Sequence, residues 1–144
     1  MVPVYYFDDE LKICPVKNFL SKYSPSVSDS DKLINKKVKF LTKIDKVILH
    51  TADNNGIAGG LFSSPVKGYD FSELRIKEGD NLVRIFYFCN CDEKLVLLNA
   101  LEKPEHYEKG RKNKIEKLIL EQLEITEIYR TKFLNNPQNY ENYE

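Results

Sequence analysis

Three cations stand in apolar, strand-like runs: Arg75 between Leu74 and Ile76, Arg84 between Val83 and Ile85, and Lys103 after Leu97-Leu98-Asn99-Ala100-Leu101-Glu102. An arginine keeps its charge at any physiological pH, and burying it unpaired costs several kcal/mol. A strand that carries one therefore offers that face to water or to an anion. Three such strands in succession imply one cationic sheet face, suited to phosphate because a guanidinium can grip two oxygens at once. The competing reading is a cross-strand salt bridge, for example between Glu73 and Arg84. Lys103 is either a phosphate contact or a solvated surface lysine. His106, three residues on, titrates near neutrality and could act as general acid or base, although an exposed loop histidine is the commoner case. Tyr107 is a base-stacking residue or a surface aromatic.

Metal chemistry finds less support. Cys14, Cys89 and Cys91 are an odd number without an export signal, which argues against a disulfide framework. Cys89-x-Cys91 lacks partners for a four-ligand site, since His50 and His106 stand at no metal-like spacing from it. Small buried or hairpin-end thiols account for the cysteines better. Neither a metal nor another cofactor is expected.

The elements that must position these residues follow from periodicity. Val2 to Phe7 reads as a short strand, and Pro15 opens a helix to about Tyr23 that Ser24-Pro25-Ser26 breaks. Ser28, Asp29 and Ser30 are N-caps for a second helix, with Leu33, Ile34, Leu41, Ile44 and Ile48 at three- and four-residue spacing. Its lysines fall mostly on another side. Asp53-Asn54-Asn55-Gly56 ends it, and residues 53–68 read as irregular. Strands near 70–77, 82–89 and 94–102 are separated by polar turns, so an antiparallel meander is expected. Alternation along the second strand puts Val83, Ile85, Tyr87 and Cys89 on the buried face and Arg84 on the open one. A last helix runs from about Lys109 to Phe133, with Ile115, Leu118, Ile119 and Leu123 in its stripe.

The order is β-α-α-β-β-β-α: an α+β domain, residues 1–134, with an antiparallel sheet packed by helices on one face. Residues 135–144 form a polar tail expected to be flexible or ordered by a partner.

The 144 residues carry 22 basic and 22 acidic side chains, for a formal net charge of zero. The balance hides segregation: residues 31–46 hold six lysines against two aspartates, whereas residues 121–144 hold five glutamates against Arg130 and Lys132. Local basic patches are compatible with a nucleic-acid partner, but the total does not demand one. No apolar run reaches the ~20 residues of a membrane helix and no signal peptide is visible, so no membrane partner and a cytoplasmic location are expected.

The order of elements, with Leu74-Arg75-Ile76, Arg84-Ile85-Phe86-Tyr87 and Leu97 to Lys103, resembles the RelE/HigB superfamily, closest to its phage-derived HigB-like branch. Pro65-Val66-Lys67 ahead of Glu73-Leu74-Arg75 is similar to the Pro-x-x-Lys segment often found there. The motif likeness covers residues 65–103, and the layout covers about 1–133. The resemblance implies a RelE/ParE-like fold and the toxin half of a type II toxin–antitoxin pair. Such a toxin cleaves mRNA in the ribosome without a metal and is silenced by a cognate antitoxin, here expected to be a helix-turn-helix protein. It implies that Arg75 and Arg84 are the strand arginines, that Lys103 is the lysine after the last strand, and that Lys67 is the RNA-binding lysine before the Glu-Leu-Arg strand. Two departures stand out: the neutral total charge, and Pro104-Glu105 where many members have a second lysine. They motivate two alternatives, a non-enzymatic ParE-like inhibitor of DNA gyrase and a degenerate toxin kept as a regulatory partner.

Overall fold

A computed structural model describes residues 1–57, 62–104 and 108–144. The elements are β1 (Val2–Tyr6), α1 (Pro15–Leu20), α2 (Asp31–Asp53), β2 (Ser63–Pro65), β3 (Ser72–Glu78), β4 (Asn81–Asn90), β5 (Lys94–Pro104), α3 (Lys112–Asn135) and β6 (Tyr140–Asn142). Local chemistry explains their ends. Pro15 starts α1, where a missing N–H costs nothing. The Ser30 hydroxyl accepts the Leu33 N–H at 3.2 Å, and Asp31 lies in the first turn of α2, against the positive end of its dipole. α2 stops at Asn55-Gly56, both at positive φ; any side chain at Gly56 would strike the Cys89 sulfur.

The sheet runs β2-β3-β4-β5-β1-β6. β3, β4 and β5 form the expected antiparallel meander, giving an α+β fold with six strands and three α-helices among the described residues. The detail departs from expectation in four places. The sheet is mixed, because β1 lies parallel to β5, with Val2 opposite Lys94 and Tyr5 opposite Leu97. Alternating side chains look the same in either direction, so composition carries no sign of strand polarity. Ser63–Pro65, read as irregular, pairs with Ser72–Leu74. The tail, read as flexible, supplies β6 against Val4–Tyr6. Tyr143 then packs on Tyr5 at 5.3 Å between ring centroids and donates to Asp45 at 2.6 Å.

The fourth departure bears most on function: helices cover both faces. α1 and α2 bury Val16, Leu20, Phe40, Ile44 and Ile48 against Leu74, Ile76, Val83, Ile85, Leu95 and Leu97. α3 buries Leu123 and Phe133 on the opposite face, against Val4, Tyr6, Phe86, Phe88, Val96 and Leu98. A helix stripe tells which side of the helix is buried, not which sheet face receives it. Phe86 and Phe133 are fully buried, a contribution of about 2 kcal/mol each from apolar area.

Between β4 and β5 the register slips once: Phe86 faces Asn99 and Tyr87 faces Leu97, so Leu98 is an extra residue in β5. This bulge reverses the alternation beyond it. Leu95 and Leu97 point to α2, Leu98 and Asn99 both face α3, and the strand then resumes with Ala100 turned to the α2 layer. Leu101 and Lys103 consequently lie on the α3 side.

Candidate functional site

Arg75 and Arg84 are direct partners across β3 and β4, Arg84 is opposite Leu101, and Leu82 is opposite Lys103. Side chains directly opposite share a face, so Arg75, Arg84 and Lys103 emerge together on the side that also receives α3. The bulge at Leu98 is what brings Lys103 there. Had the alternation of Leu95 and Leu97 continued, Lys103 would point into the α2 layer.

Among the described residues, one buried carboxylate sits among these cations. Glu73, two residues before Arg75 on the same face, is 6% exposed. Arg84 donates to Glu73 Oε2 from Nε at 2.6 Å, and its Nη2 forms an ion pair with the same oxygen. Arg75 Nε lies 3.8 Å from Glu73 Oε1, too far for a hydrogen bond but close enough for charge attraction. The salt bridge anticipated as the competing reading is thus present, and it engages Arg84 more than Arg75. The Arg84 side chain is 14% exposed and its guanidinium lies 5.4 Å from the Phe86 ring centroid, whereas the Arg75 side chain is 54% exposed. Glu73 cannot neutralise both arginines and Lys103. Burial pushes the Lys103 ammonium below its usual pKa, and the charges of Arg84 and Arg75 push it further, against an opposing pull from Glu73 and Glu116. Neighbouring Glu102 points to the other face, where it accepts from the Tyr23 hydroxyl and pairs with Lys22.

Beside Lys103 the first turns of α3 stand off the sheet and leave an apolar groove of about 390 Å³, walled by Leu101, Pro104, Ile115, Leu118 and Ile119. These α3 residues form a stripe that is plain in the sequence, yet their place beside the cations follows only from the side on which α3 docks. Further along, Asn99 donates to Thr126 Oγ1 and Gln122 Oε1, both at 3.1 Å, closing the gap where the apolar cover begins.

Of the remaining candidates, Lys67 falls elsewhere. Lys67 is exposed in the turn before Ser72, whereas Lys103 is level with Leu82 and Lys77, about 16 Å further along the strand direction. His106 and Tyr107 lie outside the described residues. Tyr87 is buried toward α2, and its hydroxyl donates to the Gly56 carbonyl at 3.2 Å. Cys14 is buried, and burial, with Glu141 beside it, raises its thiol to a pKa of about 12.

The sequence matches, over residues 34–122, the family described as phage derived protein Gp49-like (DUF891). That span is more than half the chain, so the chain belongs to this family, which is part of the RelE/HigB-like toxin superfamily. The match covers α2, the meander, the cationic cluster and the first half of α3. No curated protein matches the sequence. Among the described residues no helix is long and apolar enough to cross a membrane.

Proposed function

Proceeding from membership of the Gp49-like family, we propose that the chain is the toxin of a type II toxin–antitoxin pair and cuts mRNA in the ribosome, inhibiting translation. The observation that carries this reading is the gathering of Arg75, Arg84 and Lys103 on one face around the buried Glu73 carboxylate. Cleavage by 2′-hydroxyl attack crowds negative charge onto a five-coordinate phosphorus, and preorganised cations lower that barrier without having to reorganise. Glu73 takes Nε and Nη2 of Arg84 and so fixes the guanidinium plane, leaving its other N–H groups for phosphate oxygens. The exposed Arg75 meets the phosphate from solvent, and Lys103 adds a third charge at the mouth of the groove. His106 is assigned the proton transfers, Lys67 a contact to the message backbone and Tyr107 base stacking.

Controlled expression tests the reading. Growth arrest and cuts in ribosome-bound mRNA are expected, with both lost in Arg84→Ala. A wild-type chain that neither slows growth nor cuts message ends it. The extent to which Glu73 occupies Arg84 favours a second reading, a ParE-like binder of DNA gyrase. Inhibition of supercoiling by purified protein, with no RNA cuts, would select it. Either reading expects a helix-turn-helix antitoxin encoded in the adjacent reading frame.

A further inference from the structure

The groove beneath the first turns of α3 has two unlike ends. Between them Ile115, Leu118 and Ile119 of α3 and Leu101 of β5 wall a space of about 390 Å³, the size of a small-molecule site. Leu118 is 52% exposed, so the apolar wall stays wet. Lys103 lines one end, on the face that also carries Arg75 and Arg84. Gln122 lines the other, seven residues after Ile115 and so about 10 Å further along α3. It stands beside Asn99, which precedes Lys103 by four residues, about 13 Å of strand.

The Gln122 side chain is held in one orientation. Its Oε1 accepts from Asn99 Nδ2 at 3.1 Å. The same Nδ2 donates to Thr126 Oγ1, whose hydroxyl donates to the Gln122 backbone carbonyl at 2.7 Å. Asn99 and Thr126 are both buried, so this network is fixed by the packing of α3 on the sheet. With its oxygen engaged, Gln122 presents its Nε2 donors to the groove, and among the described residues those N–H groups have no protein acceptor.

Cations at one end, apolar walls and donors at the far end together match one nucleotide. The flat faces of a base are apolar and pack between side chains, while its edge carries the hydrogen-bonding groups. An aliphatic side chain from a protein partner would fill the walls but leave both the cations and the Gln122 donors unused.

We infer that the groove seats the nucleobase attached to the phosphate held by Arg75, Arg84 and Lys103, and that Gln122 selects a base with a keto oxygen on its far edge. The inference rests on the nuclease reading proposed above and supplies the base subsite of that same site. Guanine presents O6 there and uracil O4, each an acceptor for Gln122. Adenine and cytosine present amino groups, which would set donor against donor.

The test titrates the isotope-labelled full chain by NMR with the 3′-monophosphates of guanosine, uridine, adenosine and cytidine, and with inorganic phosphate. The guanosine and uridine monophosphates are expected to bind about tenfold tighter than the other two and to shift the Gln122 side-chain amide signal. In Gln122→Glu one carboxylate oxygen still accepts from Asn99 while the donors become an acceptor, so the preference should reverse toward adenine and cytosine. Leu118→Ser, at an exposed position, should narrow the gap in affinity between guanosine monophosphate and inorganic phosphate about fivefold. Four nucleotides bound alike, with Gln122→Glu altering nothing, overturn the inference. So does nucleotide binding no tighter than that of phosphate; a chain that behaves so yet cuts ribosome-bound mRNA keeps the nuclease reading and loses only the subsite. Groove signals that move with an apolar peptide and with no nucleotide make this a protein seat and overturn it equally. A chain that binds neither phosphate nor nucleotide and cuts no message removes both readings.

Discussion

The two faces of the β3–β5 meander are made by the same residues in alternation, yet they end differently. Toward α2 the face is apolar along its length, from Tyr87 through Ile85 and Val83 to Ile76. Toward α3 it is apolar only as far as Phe88 and Phe86, and then gives way to Glu73, Arg84, Arg75 and Lys103. The difference tracks the covering layer. The later turns of α3 press Leu123, Thr126 and Phe133 onto the sheet, while its first turns stand off and leave the groove. Charge persists where cover is incomplete, because partly exposed guanidinium groups keep water on one side. A cation on the fully covered face would have required its own buried counter-charge.

Breaking the apolar half should cost the most stability. Phe86→Ala is expected to lose about 4 kcal/mol in denaturant unfolding, through a cavity under α3. A loss below about 1 kcal/mol would mean that α3 does not press on the sheet there. Arg84→Ala comes next. Leaving the buried Glu73 carboxylate without its partner is expected to cost about 2–3 kcal/mol, and adding Glu73→Gln to the same chain should recover at least half of it. If the proposed chemistry holds, the double variant regains stability and not cleavage, which separates the two roles of Arg84.

The pH dependence probes what holds the covered half in place. Lys132 of α3 donates to Asp8 at 2.9 Å and to Glu10 at 2.7 Å, tying the far end of α3 to the loop after β1. Burial raises the Asp8 pKa, but the bond from Lys132 and those from the Glu10 and Leu11 N–H groups outweigh it and hold the carboxyl below its ordinary value. The folded state therefore binds the Asp8 proton less readily than the unfolded chain. Its stabilisation is complete above the ordinary value of about 4 and is lost as pH falls through the lower folded one. Melting temperatures followed from neutral into acid should drop over that range, and Asp8→Asn should flatten the drop. The smallest change in stability is expected for Arg75→Ala, within about 0.5 kcal/mol because the side chain is half exposed. The same variant should lower mRNA cutting at least tenfold. An Arg75→Ala chain that cuts normally would remove Arg75 from the site.

Much of this was legible before any coordinates. The β-α-α-β-β-β-α order, the turns of the meander and the split of β4 into Val83-Ile85-Tyr87 and Arg84-Phe86-Phe88 all follow from periods of two and 3.6 residues. The Glu73–Arg84 bridge was visible as the reading that competed with phosphate. Less visible were β2 and β6, three-residue strands too short to show alternation. Lys67 shares a motif with Arg75 in the sequence, yet strand geometry sets it at the other end of β3.

By itself, the chain of residues determined where the helices and the longer strands fall, which side chains had to leave water, and that cations would interrupt the apolar strands, since these depend on neighbours a few positions apart. Which sheet face α3 would cover, that β1 would run parallel to β5, and that one unpaired residue at Leu98 would turn Lys103 toward the arginines were decided only on folding. Each depends on contacts between segments distant along the chain, where alternation repeats identically for either face and either strand direction.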